Sequence, residues 1–288
     1  MLDPLLDLFK SLRSRQLTIV LITGCSAGLG LGTARAMLAK GANLYLTARN
    51  LGRARQALGE VAHSPSVHLL EMDQMLLKSV RACAANFLKQ SNTLNILINN
   101  AGIMATPEVK TEDGLESQFQ TNHLSHFLLF YLLEPTLLAS ATPEFGSRVI
   151  NLSSLGHRRG EPDVDNISLT GCYDKWRAYG SSKTCNIWMA NEIERRYGAR
   201  NLHAFSVHPG GVVTPLWHFL NPEDIAHLRA RKGFDESLKS PEQGAATTVW
   251  GALARCLKGQ GGRYLDDVQI ASRLWTPSYA LQAAAKRL

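Results

Sequence analysis

Apolar positions along the chain follow two alternating rhythms. Thr18-Ile19-Val20-Leu21-Ile22-Thr23 is a short run, almost wholly apolar and β-branched, and a stretch with helical spacing follows it from 29 to 40. An uninterrupted apolar run of that length, closed by a Gly-rich turn, predicts a strand buried on both faces and then a helix. The rhythm recurs, with strands expected at 44–47, 67–70, 94–98, 148–152 and 202–207 and a helix-length segment between each pair. Such alternation predicts an α/β fold, a doubly wound parallel sheet of about seven strands with helices on both faces.

Two longer helices are expected at 119–138 and 176–197. The segment 215–240 has mixed polarity and follows the turn Pro209-Gly210-Gly211, so it reads as a substrate lid over the carboxyl edge of the sheet. Within it Trp217, Phe219, Leu220 and Phe234 offer aromatic and apolar surface to a substrate. With no Pro-, Gly- or Ser-rich linker, 1–288 is expected to be one domain, with 1–16 as an N-terminal extension and 265–288 as a C-terminal tail. Leu2, Leu5, Leu6, Leu8 and Phe9 are interrupted by Asp3, Asp7 and Lys10. No run approaches the roughly 20 apolar residues of a membrane span, so no integral span and a cytoplasmic location are expected.

The net charge of +7 is spread over short clusters such as Arg158-Arg159, Arg195-Arg196 and Arg229-Ala230-Arg231-Lys232, none interleaved with aromatics. That argues against nucleic acid and leaves room for an anionic cofactor. The five cysteines include no Cys-x-x-Cys pair, which argues against a disulfide framework or a zinc site and suits a reducing compartment. His123 and His126 stand three apart, but no third ligand joins them in sequence, so they are expected to be a packed or surface pair and no metal is expected.

Thr23-Gly24-Cys25-Ser26-Ala27-Gly28-Leu29-Gly30 lies between the first strand and the first helix. There glycines let the backbone close on a pyrophosphate at a helix N-terminus, so Gly24, Ser26, Gly28, Leu29 and Gly30 are candidate cofactor contacts. The same residues spell the Gly-x-Ser-x-Gly of a nucleophile elbow, which makes a serine hydrolase using Ser26 a rival reading. That rival leaves Gly30, Tyr179 and Lys183 without a role. Roughly 20 residues beyond the glycines, where an enzyme for NAD presents a carboxylate, the second strand ends Tyr45-Leu46-Thr47-Ala48-Arg49-Asn50. Arg49, with Arg53 in reserve, can bind a 2′-phosphate through paired charge-assisted bonds. NADP(H) is therefore the expected cofactor, with Asp73 placed to accept from its adenine.

Tyr179 and Lys183 are four apart on an expected helix and so share a face. A phenol is a poor acid or base near neutral pH until a cation favours its anion, and Lys183 would supply that cation. Asn151-Leu152-Ser153-Ser154 brings hydroxyls to the same sheet edge, where Ser154, or alternatively Ser153, could donate to a developing alkoxide.

Thr23-Gly24-x-x-x-Gly28-x-Gly30, Asn99-Asn100-Ala101-Gly102, Asn122, Ser154, Tyr179-x-x-x-Lys183 and Pro209-Gly210-Gly211-Val212-Val213-Thr214 follow one another in the order of the short-chain dehydrogenase/reductase family. Over 18 to about 264 the chain resembles that family, in wording closest to retinol-dehydrogenase-like, WW-domain-oxidoreductase-like and fungal biosynthetic members. The resemblance implies a Rossmann-like fold in which Tyr179 donates the proton and Ser154 orients the carbonyl. It makes Lys183 lower the Tyr179 pKa and bind the nicotinamide ribose, and Asn122 hold the water that links Lys183 to solvent. It further sets Asn100 beside the adenine-side ribose and Val212 and Thr214 on the nicotinamide amide. The implied function is NADP(H)-dependent reduction of a small lipophilic ketone or aldehyde, or the reverse oxidation, in the manner of secondary-metabolite enzymes, by a homodimer or homotetramer. A catalytically silent NADP(H)-binding sensor on the same fold is the main alternative.

Overall fold

The computed structural model describes residues 18–230 and 233–271. The N-terminal extension 1–16, Arg231-Lys232 and the stretch 272–288 lie outside the described residues.

The βα rhythm is realised as β1 (Ile19–Ile22), α1 (Gly28–Ala39), β2 (Asn43–Ala48), α2 (Leu51–Leu58), β3 (Val67–Glu71), α3 (Leu77–Gln90) and β4 (Ile96–Asn99). The second half continues with α4 (Ser125–Ser140), β5 (Ser147–Leu152), α5 (Lys175–Tyr197), β6 (Leu202–His208), β7 (Gly211–Val212), α6 (Pro222–Arg229), β8 (Leu238–Lys239), α7 (Pro241–Leu253), β9 (Tyr264–Asp266) and β10 (Gln269–Ile270). The main sheet runs β10-β9-β6-β5-β4-β1-β2-β3. Seven of its strands pair in parallel, and the two-residue β10 adds an antiparallel edge. This is the expected sheet with one short strand more. Residues 265–270, expected as tail, belong to this edge.

Two apolar layers sandwich the sheet, as fully buried parallel strands require. On one face Ile22, Leu46, Ile98, Ile150 and Val207 pack with Ala34 and Met37 of α1 and Val249 and Ala252 of α7. On the other, Leu21, Leu97, Val149 and Ala204 pack with Phe87 of α3, Leu129 and Leu133 of α4 and Ala190 and Ile193 of α5. Winding reverses between β1 and β4, so the carboxyl ends of β1, β4, β5 and β6 open onto a single crevice, the usual ligand position in an open α/β sheet.

Two local features differ from expectation. The helix expected at 119–138 begins as a single turn at Ser117–Phe119, passes through a π-turn at Gln120–Leu124 and only then becomes α4. A π-turn carries one extra residue per turn and reorients the side chains on it, and Asn122 lies within it. The segment 215–240 is built from a short turn at Pro215–Phe219, the helix α6 and the strand β8, which pairs with β7. Asn221 opens α6 with a reciprocal capping box to Asp224, satisfying backbone N–H groups that the first helical turn leaves unpaired.

Candidate active site

A cavity of about 1450 Å³ runs along the carboxyl edge and is lined from Arg49 at one end to Trp217 and Phe234 at the other. Its first half is the glycine turn. Gly24 has φ +72, and a Cβ at Gly30 would stand 2.2 Å from the Gly24 carbonyl oxygen and 2.6 Å from Asn100 Nδ2. Only a bare backbone fits at both positions. Asn100 Nδ2 donates to the carbonyls of Thr23 (2.7 Å) and Gly24 (3.3 Å), so this residue pins the turn from behind. Ala27, at the N-cap of α1, provides no side-chain cap, and the first turn carries no acid. The helix thus meets the cavity with N–H groups and the positive end of its dipole, which suits a pyrophosphate. Ser26 and Leu29 line the same stretch.

Beyond the turn, Arg49 and Arg53 line the cavity, and Asp73 is the one carboxylate among its described lining residues. One Asp73 oxygen accepts from Met75 N at 2.9 Å, which leaves the other for a ligand. Val212 and Thr214 close the opposite wall. Thr214 Oγ1 also accepts from Leu216 N at 3.3 Å and so starts the turn at 215.

The second half of the cavity brings together Ser154, Tyr179 and Lys183. Asp174 caps α5 through Trp176 N and Arg177 N, and one turn further in, Tyr179 and Lys183 face the end of β5, both buried. Burial pushes the Tyr179 phenol up to about 12, opposed by the Ser154 hydroxyl beside it. Burial also lowers Lys183 to about 8. Its ammonium donates to Leu152 O at 3.0 Å and stands 5.6 Å from the centre of the Tyr179 ring. Burial sets the upward direction of the phenol, and the opposing pull comes from the Ser154 hydroxyl rather than from Lys183. Ser154 Oγ accepts from Gly156 N at 3.0 Å. Ser153 Oγ instead donates to Lys183 O at 2.9 Å, so Ser154 is the hydroxyl beside the phenol.

Asn122 is committed as a structural pin. Its Oδ1 accepts from Ile103 N at 2.8 Å, and its Nδ2 donates to Ile103 O and Ser182 Oγ, both at 2.9 Å. Asn186 Nδ2 bridges the carbonyls of Asn122 (3.1 Å) and Leu152 (2.9 Å). Sequence reasoning missed Ser182, Asn186 and the partner of Thr23, His126. Their types are ordinary for a helix interior; Ser182 and Asn186 meet Asn122 and Leu152 across 34 to 64 residues of chain, and His126 meets Thr23 across 103.

On the substrate side, Met104, Trp176, Leu216, Trp217, Phe219 and Phe234 give apolar walls. Leu220, like Trp217, packs against the cluster of Met104, Ala105 and Tyr179. Asp224 of α6 binds Lys175 Nζ at 2.5 Å and accepts from Trp176 Nε1 at 3.1 Å, tying the segment to the start of α5. No histidine among the described residues has a hydrogen bond to Ser26, so the elbow lacks the base a serine nucleophile needs.

Comparison with known proteins agrees with this geometry. The family described as short chain dehydrogenase matches residues 18–225. Short-chain dehydrogenase/reductase prx1 of Penicillium roqueforti is 49% identical over 253 residues, covering 88% of this chain and 74% of the relative. Retinol dehydrogenase 12 of Mus musculus is 36% identical over 265 residues, covering 91% and 80%. An uncharacterised protein from Mycobacterium paratuberculosis has the same fold, with a TM-score of 0.73 and 29% identity over 96% of this chain and 93% of its own. Enzymes of this family use nicotinamide cofactors for oxidation and reduction. The chain, whose glycine turn, Ser154 and Tyr179/Lys183 pair all lie inside the matched span, belongs to the short-chain dehydrogenase/reductase family of oxidoreductases.

Proposed function

We propose that the protein reduces a lipophilic ketone or aldehyde with NADPH, Tyr179 supplying the proton, and that the reverse oxidation uses the same groups. The observation that carries this reading is the meeting of Ser154, Tyr179 and Lys183 in one cavity with the glycine turn. NADP(H) is favoured over NAD(H) because the cavity wall at the end of β2 presents Arg49 and Arg53. Gly24, Ser26, Gly28, Leu29 and Gly30 would hold the pyrophosphate, Asp73 and Asn100 the adenosine side, Val212 and Thr214 the nicotinamide, and Lys183 its ribose. When bound, the dinucleotide supplies hydride to the carbonyl carbon.

The chain's own groups handle the oxygen and the proton. Ser154 donates to the carbonyl oxygen, and Tyr179 transfers its proton as negative charge develops there. The phenol, pushed up to about 12, holds that proton at neutral pH. Lys183 keeps a positive charge near the phenolate that remains. The apolar walls exclude water and favour a hydrophobic carbonyl compound. We further propose a cytoplasmic homodimer or homotetramer. Among the described residues no helix is long and apolar enough to cross a membrane.

The test is NADPH oxidation against a panel of lipophilic ketones and aldehydes, with NADPH binding measured in parallel. Turnover of at least one carbonyl supports the reading. Tight NADPH binding without turnover of any would favour the non-catalytic sensor, and absence of NADPH binding would sink both.

A further inference from the structure

His126 takes no part in the proposed chemistry, yet it sits at the centre of a hydrogen-bond chain whose every direction can be assigned. It is 1% exposed. Its Nδ1 stands 3.0 Å from Asn122 O and its Nε2 2.9 Å from Thr23 Oγ1. Burial lowers the ring to about 3, with a neighbouring backbone bond opposing and the charges of Lys183 and His123 adding to the effect, so it is neutral and carries one N–H. A carbonyl can only accept, so that hydrogen is on Nδ1. Nε2 must then accept, and the Thr23 hydroxyl donates to it.

The lone pairs of Thr23 Oγ1 are in turn used by Asn100 N and Ala101 N, each at 2.9 Å. Asn100 and Ala101 are the backing of the glycine turn: a Cβ on Gly24 would meet Ala101 at 2.9 Å. At the other end, Asn122 O also accepts from Asn186 Nδ2, which donates equally to Leu152 O, and Leu152 O receives the Lys183 ammonium. An unbroken line of buried polar groups therefore runs from the glycine turn to the Lys183 ammonium beside Tyr179. Such lines have two costly ends and few alternative arrangements, because a broken bond leaves a buried partner unsatisfied.

We infer that His126 is a positioning residue that registers the cofactor turn against Asn122, and through Asn186 and Leu152 against Lys183. The inference rests on the reductase reading for its kinetic consequence, but not for the hydrogen-bond chain itself. A His at this place is the side chain that can donate from one edge to Asn122 O and accept on the other from Thr23.

The test compares three substitutions. His126→Phe fills the space without polar atoms; His126→Asn retains a donor where Nδ1 stands; His126→Gln retains a polar group only where Nε2 stands. Misregistration of reacting groups is expected to lower kcat of the Phe and Gln variants by about ten- to a hundredfold. NADPH affinity should stay within about twofold, since no contact to the cofactor is removed. The Asn variant keeps the bond to Asn122 O but loses the one from Thr23, so the line is broken there too and its kcat should fall with that of the Gln variant. Wild-type kcat in a folded Phe, Asn or Gln variant would overturn the inference. The imidazole nitrogen NMR signals of the wild-type protein give a second readout independent of turnover. They should show the Nδ1–H form, unchanged between about pH 5 and 8. An Nε2–H form or a titrating ring would overturn the chain. Failure of the wild type to reduce any carbonyl would count against the reductase reading alone, and the NMR signals would still decide the role of His126.

Discussion

A buried phenol with its pKa pushed up to about 12 is a group that keeps its proton until a stronger base forms next to it. The alkoxide formed by hydride attack on a carbonyl is such a base, so the upward shift suits Tyr179 to act as a donor rather than as a standing phenolate. Lys183, lowered to about 8 by its own burial, then matters most after transfer, when an anion is left within its reach. At the far end of the cavity the decisive residue is Arg49. It is exposed, so on the proposed reading it serves recognition of a 2′-phosphate rather than stability. Arg49→Asp should raise the KM for NADPH by about tenfold or more and lower that for NADH, reversing the preference. Initial rates with both cofactors read this directly, and a retained NADPH preference would shift the role to Arg53 or to backbone donors.

Among the elements, α5 is central to the proposed chemistry: it brings Tyr179 and Lys183 to the end of β5, and its first turn holds α6. The hydrogen bonds from Lys175 and Trp176 to Asp224 fix α6 beside the apolar wall. Asp224→Ala is expected to raise the KM for the carbonyl several-fold, by about three- to tenfold, with NADPH affinity unchanged. A change confined to NADPH affinity would place the role of α6 elsewhere. The strands and α1 were legible from sequence because parallel strands are apolar on both faces and the glycine turn punctuates them. The π-turn at Gln120–Leu124 was not, since apolar spacing carries no record of which carbonyl each N–H reaches. The β9–β10 edge was missed for a different reason. Strands of three and two residues are too short to show a period. In the site, Tyr179, Lys183, Ser154 and the glycines were readable because their chemistry is rare in combination, whereas Asn186 and His126 gain meaning only from distant partners.

For the whole molecule, buried His126 and His208 and half-buried His123 couple folding to acid. Burial lowers His126 to about 3 and both His123 and His208 to about 4, from an ordinary value of 6.5. Each is neutral in the fold and takes up a proton when the chain unfolds below about pH 6.5. The unfolded state then binds more protons, so stability is full above that pH and falls as pH drops toward 4. With three such rings the slope at its steepest is roughly 3–4 kcal/mol per pH unit. Chemical denaturation at a series of pH values should show stability level near neutrality and collapsing between about pH 6 and 4. A flat profile over that range would mean the rings are hydrated or charged in the fold.

The central claim is that hydride and proton reach one carbonyl from opposite partners, with Tyr179 giving the proton. The most direct measurement supplies NADPH deuterated at the reactive nicotinamide carbon with a turned-over carbonyl compound, using wild type and Tyr179→Phe side by side. The account predicts one deuterium on the carbinol carbon of the wild-type product. It also predicts at least about a hundredfold less product from the variant at unchanged NADPH affinity. Deuterium absent from the product carbon, or a Phe variant that turns over like wild type, would contradict it.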